Sequence, residues 1–268
     1  MHGLGNDFML VDSEGKAMPA PEQIAAMADR RKGIGFDQLL WLSPPKAADA
    51  DVYYEIANAD GSLAEQCGNG ARCIVAHIAK QGEAADRTWL LEHAGGLMQA
   101  RREKDGHFAV DMGEPEFEPS KVPFIADFYQ AQYVVDAITQ QVQISVVSMG
   151  NPHGVLQVDD VETARVEKLG PVLESHARFP NRANISFMQV LAPDRIRLRV
   201  FERGVGETSA CGTGACAAVA VGRRADILGE DVVVELSGGL LSVRWPGTGS
   251  SMWLIGEAVT VFKGVIDL

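Results

Sequence analysis

Apolar and polar positions alternate in many short runs along the chain. The segments 52–58 (VYYEIAN) and 196–202 (IRLRVFE) carry this period of two and are predicted strands. Runs at 87–93, 97–103, 107–113, 132–138, 141–150, 231–237, 240–245, 252–256 and 258–264 read the same way. A helical period appears at 21–31, behind Pro21, and at 71–81 and 215–227. Many short strands with one or two helices per half predict an α+β fold, each half wrapping a sheet around a central helix. The stretch 114–124 (EPEFEPSKVPF) holds three prolines and three glutamates and is the predicted domain linker.

The pattern repeats. A shift of 144 residues carries Cys67 onto Cys211 and Asn58 onto Glu202, each of the latter pair ending an alternating run. Both runs lead into a polar, Gly-containing loop, 59–66 and 203–210, then into the cysteine and a helix-like segment. At nearly the same shift, Asn6 falls close to Asn151 and Gln38 close to Asn184. Four polar positions in one order predict two homologous domains facing each other, a two-fold duplication rather than a solenoid of shorter units.

Composition narrows the chemistry. With 268 residues, 46% of them hydrophobic, the chain can bury a substantial core. Its net charge of −12 argues against nucleic-acid and anionic-membrane partners. No signal segment and no bilayer-length apolar run is present, so a cytoplasmic location is expected, with reduced cysteines. The cysteines stand at 67/73 and 211/216, without Cys-x2-Cys or His-x3-5-His spacing, so no metal is expected.

The duplicated cysteines precede Gly-x-Gly at a helix start, in 67-CGNGARC-73 and 211-CGTGACA-217. A helix N-terminus presents unpaired N–H groups and partial positive charge, and glycines let an anion approach closely. A cysteine there gains thiolate character. One such site could be a nucleophile, a redox centre, an anion site or a Gly-rich turn with a small buried thiol. A facing pair has a narrower reading: two sulfurs on opposite sides of one carbon could remove a proton from one face and deliver one to the other. That is racemisation or epimerisation of an amino acid, with helix N–H groups stabilising charge at the α-carboxylate. The titrations of such a pair are coupled. Cys73 and Cys216, inside the helices, read as structural.

The stretches 2-HGLGNDF-8, 33-GIGFDQLL-40, 58-NADGS-62, 67-CGNGARC-73, 150-GNPH-153, 202-ERGVGET-208 and 211-CGTGACA-217 together resemble the diaminopimelate epimerases, from end to end of the chain. The resemblance implies two pseudo-symmetric α+β domains, each a mostly antiparallel sheet rolled around a central helix, with the site in the cleft. It implies domains at 1–112 plus 257–268 and at 113–256, and a homodimer. It implies a pyridoxal-phosphate-independent isomerase without cofactor, interconverting LL- and meso-diaminopimelate by a thiol/thiolate pair, a step toward lysine and peptidoglycan precursors. Carried over by motif, Cys67 and Cys211 are the acid/base residues. Gly68, Asn69, Gly212 and Thr213 contact the reacting carboxylate. Asn6, Asn58, Asn151, Asn184 and Arg203 hold the distal amino-acid centre, with Arg203 on its carboxylate. Glu202 binds an ammonium group, Gln38 lies against substrate and His153 is near the catalytic pair.

The chemistry of a substrate zwitterionic at both ends suits that set. Arg matches a planar carboxylate, and Asn offers donor and acceptor together. Read singly, Asn6, Asn58 and Asn151 could simply shape turns, Asn184 cap a loop, and Glu202 and Arg203 form a surface pair. The chain departs from the family in opening directly at the His-Gly-Leu-Gly stretch and in carrying His93 where Thr is commoner. A proline racemase would share the two cysteines but not the far-end set. A phenazine-type isomerase would use a carboxylate base, and a redox protein would need a resolving cysteine close by.

Overall fold

The computed structural model describes residues 1–64, 67–81 and 87–266; Glu65 and Gln66 of the first predicted loop and the last two residues of the predicted 257–268 return lie outside them. The chain divides into two compact units, Met1–Asp111 with Ile255–Leu268, and Met112–Leu254. In the first unit the strands are β1 (His2–Gly3), β2 (Asn6–Asp12), β3 (Gln38–Ser43), β4 (Val52–Asn58), β5 (Leu63–Ala64), β6 (Thr88–His93), β7 (Gly96–Arg102) and β8 (Phe108–Asp111). Helix α1 (Pro21–Ala28) connects β2 to β3, and α2 (Gly68–Ile78) lies between β5 and β6. The second unit carries β9 (Tyr133–Ala137), β10 (Gln140–Ser148), β11 (Pro152–Gln157), α3 (Val166–Glu174), β12 (Asn184–Ala192), β13 (Arg195–Glu202), β14 (Gly206–Thr208), α4 (Gly212–Arg224), β15 (Asp231–Leu236) and β16 (Gly239–Arg244). The chain passes back to the first unit within β17 (Trp253–Gly256).

The repeat is one of topology and register. β2 pairs parallel with β3, β3 antiparallel with β4, β4 antiparallel with β5 and parallel with β6, and β6 antiparallel with β7. The same order of pairings joins β11, β12, β13, β14, β15 and β16. Each parallel pair needs a crossover, and a helix supplies each one. Phe8 is opposite Gln38 in the first unit, as His153 is opposite Asn184 in the second. The sheets are mixed, with antiparallel pairs in the majority.

The central helices are buried nearly all round. From Gly68 to Ala76 every residue of α2 is buried, and α4 is buried at all but one position from Gly212 to Ala220. Such a helix belongs inside a sheet rather than on it. Glycine allows the close approach. A Cβ at Gly70 would stand 3.0 Å from Leu40 Cδ2, and one at Gly214 would stand 3.0 Å from Val200 Cγ2. The outer faces are covered by the crossover helices. Ile24 and Met27 of α1 join Phe36, Leu39 and Trp41, and Val166, Leu169 and Leu173 of α3 join Ile185 and Phe187. Burying each such side chain contributes about 1.5–3 kcal/mol.

Several strands lack the alternation that reveals a strand in sequence. In β3 the run Leu39–Leu42 is buried throughout, as are Pro152–Leu156 of β11 and Asn184–Met188 of β12. Strands covered on both faces show no period of two. The predicted strand at 258–264 is reduced to one bridge, His2 to Val259. Val261, Phe262 and Val265 beyond it are exposed and pair with no strand among the described residues. The predicted linker at 114–124 is a built part of the second unit: Glu116 bridges Ser148, and Phe117, Val122 and Phe124 are buried. Its prolines interrupt regular structure, but its apolar residues still seek the core. His93 closes the β6–β7 turn, its Nδ1 accepting the Gly95 N–H at 3.0 Å, with its ring 5.5 Å from that of Tyr54.

Candidate active site

Both central helices begin at cysteine. Cys67 (φ −136°, ψ 107°) and Cys211 (φ −121°, ψ 107°) are the N-cap residues, in nearly the same extended conformation. Their carbonyls accept the first helical N–H groups, from Ala71 at 2.9 Å and Ala215 at 3.0 Å. The helices therefore start three residues earlier than the apolar period predicts, with the Gly-x-Gly inside the first turn. Helix geometry leaves the N–H groups of that turn without intrahelical acceptors. Gly68, Asn69, Gly212 and Thr213 lie there.

In the first unit the polar residues gather where β2 and β3 begin and β4 ends. Asn6 Oδ1 accepts from Cys67 Sγ at 3.7 Å and from Asn69 Nδ2 at 3.4 Å, while Asn6 Nδ2 donates to Asp37 Oδ2 at 3.1 Å. Arg72, buried in α2, donates to Asn69 Oδ1 at 2.9 Å. Asp37 and Asp7 also accept each other's backbone N–H groups, and Arg30 pairs with both at 2.7 and 2.8 Å. Arg30 is the largest influence holding the Asp7 carboxyl below its ordinary value. Beside this cluster Gln38 Nε2 donates to Asn58 Oδ1 at 2.9 Å, across the β3–β4 ladder, and Asn58 Nδ2 donates to Ser62 Oγ at 3.0 Å.

The second unit gathers its set at the corresponding strand ends. His153, fully buried, holds Asn151 Oδ1 at 2.8 Å through Nε2, and its Nδ1 has no partner among the described residues. Burial, with the Arg203 charge adding to it, lowers the imidazole pKa to about 3, so the ring is neutral. Asn184 Oδ1 accepts the Arg203 N–H at 3.0 Å, and Asn184 Nδ2 donates to the Pro152 carbonyl at 3.4 Å. The Arg203 guanidinium donates to the Asn181 carbonyl at 3.4 Å and has no carboxylate partner among the described residues.

Cys211 is 4% exposed, with Thr213 Oγ1 at 3.6 Å. Burial, then the Glu202 charge, raises its thiol pKa well above the ordinary value; the Thr213 hydroxyl and the Gly214 N–H oppose this. Glu202, raised by burial, accepts from the Thr208 hydroxyl. Cys73 and Cys216 are fully buried, and burial pushes the Cys73 thiol up to about 12. Burial thus keeps the Cys73 thiol from ionising near neutral pH, and Cys216 is out of reach of solvent.

Each unit thus assembles its share of the sequence-predicted residues. Asn6, Gln38, Asn58, Cys67, Gly68 and Asn69 lie in the first, and Asn151, His153, Asn184, Glu202, Arg203, Cys211, Gly212 and Thr213 in the second. Sequence reading passed over Asp37, Arg30, Ser62 and Thr208. Three of these lie inside the motifs, one residue from Gln38, at the end of 58-NADGS-62 and at the end of 202-ERGVGET-208. Arg30 carried no signal. No group of three or more His, Cys, Asp or Glu able to hold a metal occurs among the described residues, and no helix there is long and apolar enough to cross a membrane.

The duplicated fold is shared with solved structures of several named proteins. A hydroxyproline epimerase from Agrobacterium vitis, solved with trans-4-hydroxy-L-proline, aligns at TM-score 0.66 and 15% identity over 95% of this chain and 86% of its own. A phenazine biosynthesis protein of the PhzF family from Bacillus anthracis aligns at 0.66 and 16% over 99% and 95%. Methylitaconate-delta-isomerase aligns at 0.62 and 15% over 98% and 92%. Sequence makes the assignment sharper. The chain belongs to the diaminopimelate epimerase family, whose profile matches residues 1–118 and 145–261. It is an isomerase of the epimerase type.

Proposed function

We propose that the protein epimerises LL-diaminopimelate to meso-diaminopimelate in the cytoplasm, without cofactor, using Cys67 and Cys211 as the two bases. The observation that carries this reading is the matched pair of N-cap cysteines, alike in backbone conformation and each followed by a glycine-rich first turn. One thiolate takes the α-proton and the other thiol returns a proton to the opposite face. First-turn N–H groups, including those of Gly68, Asn69, Gly212 and Thr213, receive the charge growing on the α-carboxylate. The buried surroundings of Cys211 strengthen such interactions by excluding water.

The distal amino-acid centre falls to the remaining polar groups. Arg203, whose guanidinium has only a carbonyl partner among the described residues, binds the distal carboxylate, and Glu202 binds an ammonium group. Asn6, Gln38, Asn58, Asn151 and Asn184 complete the donors and acceptors. Substrates lacking the far end would leave these groups unpaired, which rejects them strongly. The protein is expected to act as a homodimer.

The test is substrate choice. LL-Diaminopimelate, L-proline, trans-4-hydroxy-L-proline and L-lysine are offered to the reduced protein, and stereochemical change is followed by chiral chromatography. Turnover of diaminopimelate with no change in the others is expected. Turnover of proline or hydroxyproline at a comparable rate would overturn the assignment of Arg203 and the asparagines to a distal amino-acid centre.

A further inference from the structure

Asn6 and Asn151 occupy corresponding places in the two units: each lies two residues before a residue, Phe8 or His153, that pairs with the first residue of the next strand. Their amides are nonetheless held in opposite senses. In the first unit the acceptor Asp37 takes Asn6 Nδ2 at 3.1 Å, which leaves Oδ1 toward Cys67 at 3.7 Å. Asn69 reinforces this, donating to the same Oδ1 at 3.4 Å, with its own Oδ1 taken by Arg72. In the second unit the contact falls on the other end: His153 Nε2 lies 2.8 Å from Asn151 Oδ1. A neutral imidazole facing a carbonyl oxygen must donate, so its proton is on Nε2, and Asn151 Nδ2 is left without a partner among the described residues.

We infer that Asp37 and His153 are positioning residues which preset the duplicated asparagines in opposite ways, Asn6 as an acceptor facing Cys67 and Asn151 as an N–H2 donor with no partner among the described residues. The consequence deepens the proposed function and rests on it where substrate is concerned. An acceptor at 3.7 Å favours the thiol form of Cys67 over its thiolate. A free amide N–H2 suits a carboxylate oxygen and not an ammonium group. Arg30 supports the first arrangement from behind, since it neutralises Asp37 without reaching Asn6.

Asp37 and His153 can be tested separately. In a Cys211→Ser background, with Cys73 and Cys216 fully buried, iodoacetamide reports on Cys67 without any substrate. Asp37→Ala frees the Asn6 amide to turn its N–H2 to the sulfur, and alkylation near neutral pH is expected to quicken about threefold or more. Asp37→Asn keeps an acceptor where two donors, Asn6 Nδ2 and the Asp7 N–H, converge, and should stay within about twofold of the parent. Both variants lose the same charge, so equal rates in the two would overturn the inference, as would no change in Asp37→Ala. Tyr54 of β4 and Cys73 of α2, which feel the Cys67 charge, the latter also that of Arg72 and of the Met1 amino group, are untouched.

His153→Phe copies Phe8, which the first unit buries at the corresponding place. It is expected to raise KM for diaminopimelate about tenfold with kcat changed less than about threefold, the loss of one preset hydrogen bond. His153→Gln, which can still donate to Asn151 Oδ1, should restore KM to within about threefold. An unchanged KM in His153→Phe, or equal defects in both variants, would overturn the inference. A parent that fails to turn over diaminopimelate condemns the proposed function instead, and leaves the alkylation comparison to judge Asp37.

Discussion

The N-termini of α2 and α4 are two versions of one structural device with different chemistry around them. Backbone conformation, first-turn glycines and strand register correspond. Cys67 is half-buried beside an asparagine whose other end is tied to an aspartate. Cys211 is almost wholly buried beside a threonine and under the charge of Glu202. At the position of Phe8 the second unit has a neutral histidine, and at that of Asn58 a glutamate. Duplication supplied the geometry twice, and substitution at the strand ends then gave each copy its own electrostatics. The two thiols are therefore unlike in burial and in neighbours.

The comparison is broken most severely at the shared element. Cys67→Ser and Cys211→Ser should each lower kcat by about a thousandfold or more with the fold retained by circular dichroism. Near-normal turnover in either would mean the two termini are not functional equivalents. Next is the buried histidine that only the second unit has. Its folded pKa of about 3 lies below the ordinary 6.5, so the unfolded chain binds more protons between those values. Its contribution to stability is complete above about pH 6.5 and is lost as pH falls toward 3, at up to about 1.4 kcal/mol per pH unit. His153→Phe should remove that part of the acid sensitivity in urea unfolding measured across pH, and identical pH dependence in the two proteins would contradict it.

The glycines sharpen the comparison by a smaller amount. A Cβ at Gly214 meets Val200, β-branched and stiff, together with Cys211 Sγ at 3.3 Å. One at Gly70 meets the flexible end of Leu40 and the edge of Phe8 at 3.3 Å. Gly214→Ala should therefore cost about 1–2 kcal/mol of stability and Gly70→Ala less, by thermal unfolding. Equal costs would show the two contacts to be equally yielding. The mildest change is Glu202→Gln. Removing the carboxylate charge should let the Cys211 thiolate form at lower pH, followed by its ultraviolet absorbance in a Cys67→Ser background. A titration at the same or higher pH would show that burial alone raises this thiol.

The half-buried strands were legible because their two faces differ. Arg195–Glu202 alternates in sequence and in burial and forms β13, whereas Val52–Asn58, which forms β4, is buried at every position but Glu55 and Asn58. Strands buried on both faces, such as Gln38–Ser43, look like any short apolar run, and only the repeat hinted at their place. The helix starts were misjudged by three residues because glycine is a poor helix former in the interior yet is accepted in the first turn. The candidate residues came from motif spacing, which names positions and not partners. Which end of the Asn6 amide faces the sulfur depends on Asp37, brought alongside by strand pairing across 31 positions of sequence. That His153 is neutral follows from burial, which no spacing reveals.

In the proposed reaction two thiols exchange protons at one α-carbon without a cofactor. The most direct measurement is incubation of the reduced protein with LL-diaminopimelate in D2O, with nothing added, followed by NMR of the α-positions. Loss of one α-proton signal, deuterium at that carbon, and appearance of the meso isomer are expected. Absence of exchange in protein shown to be folded, with Cys67 and Cys211 free, would contradict it.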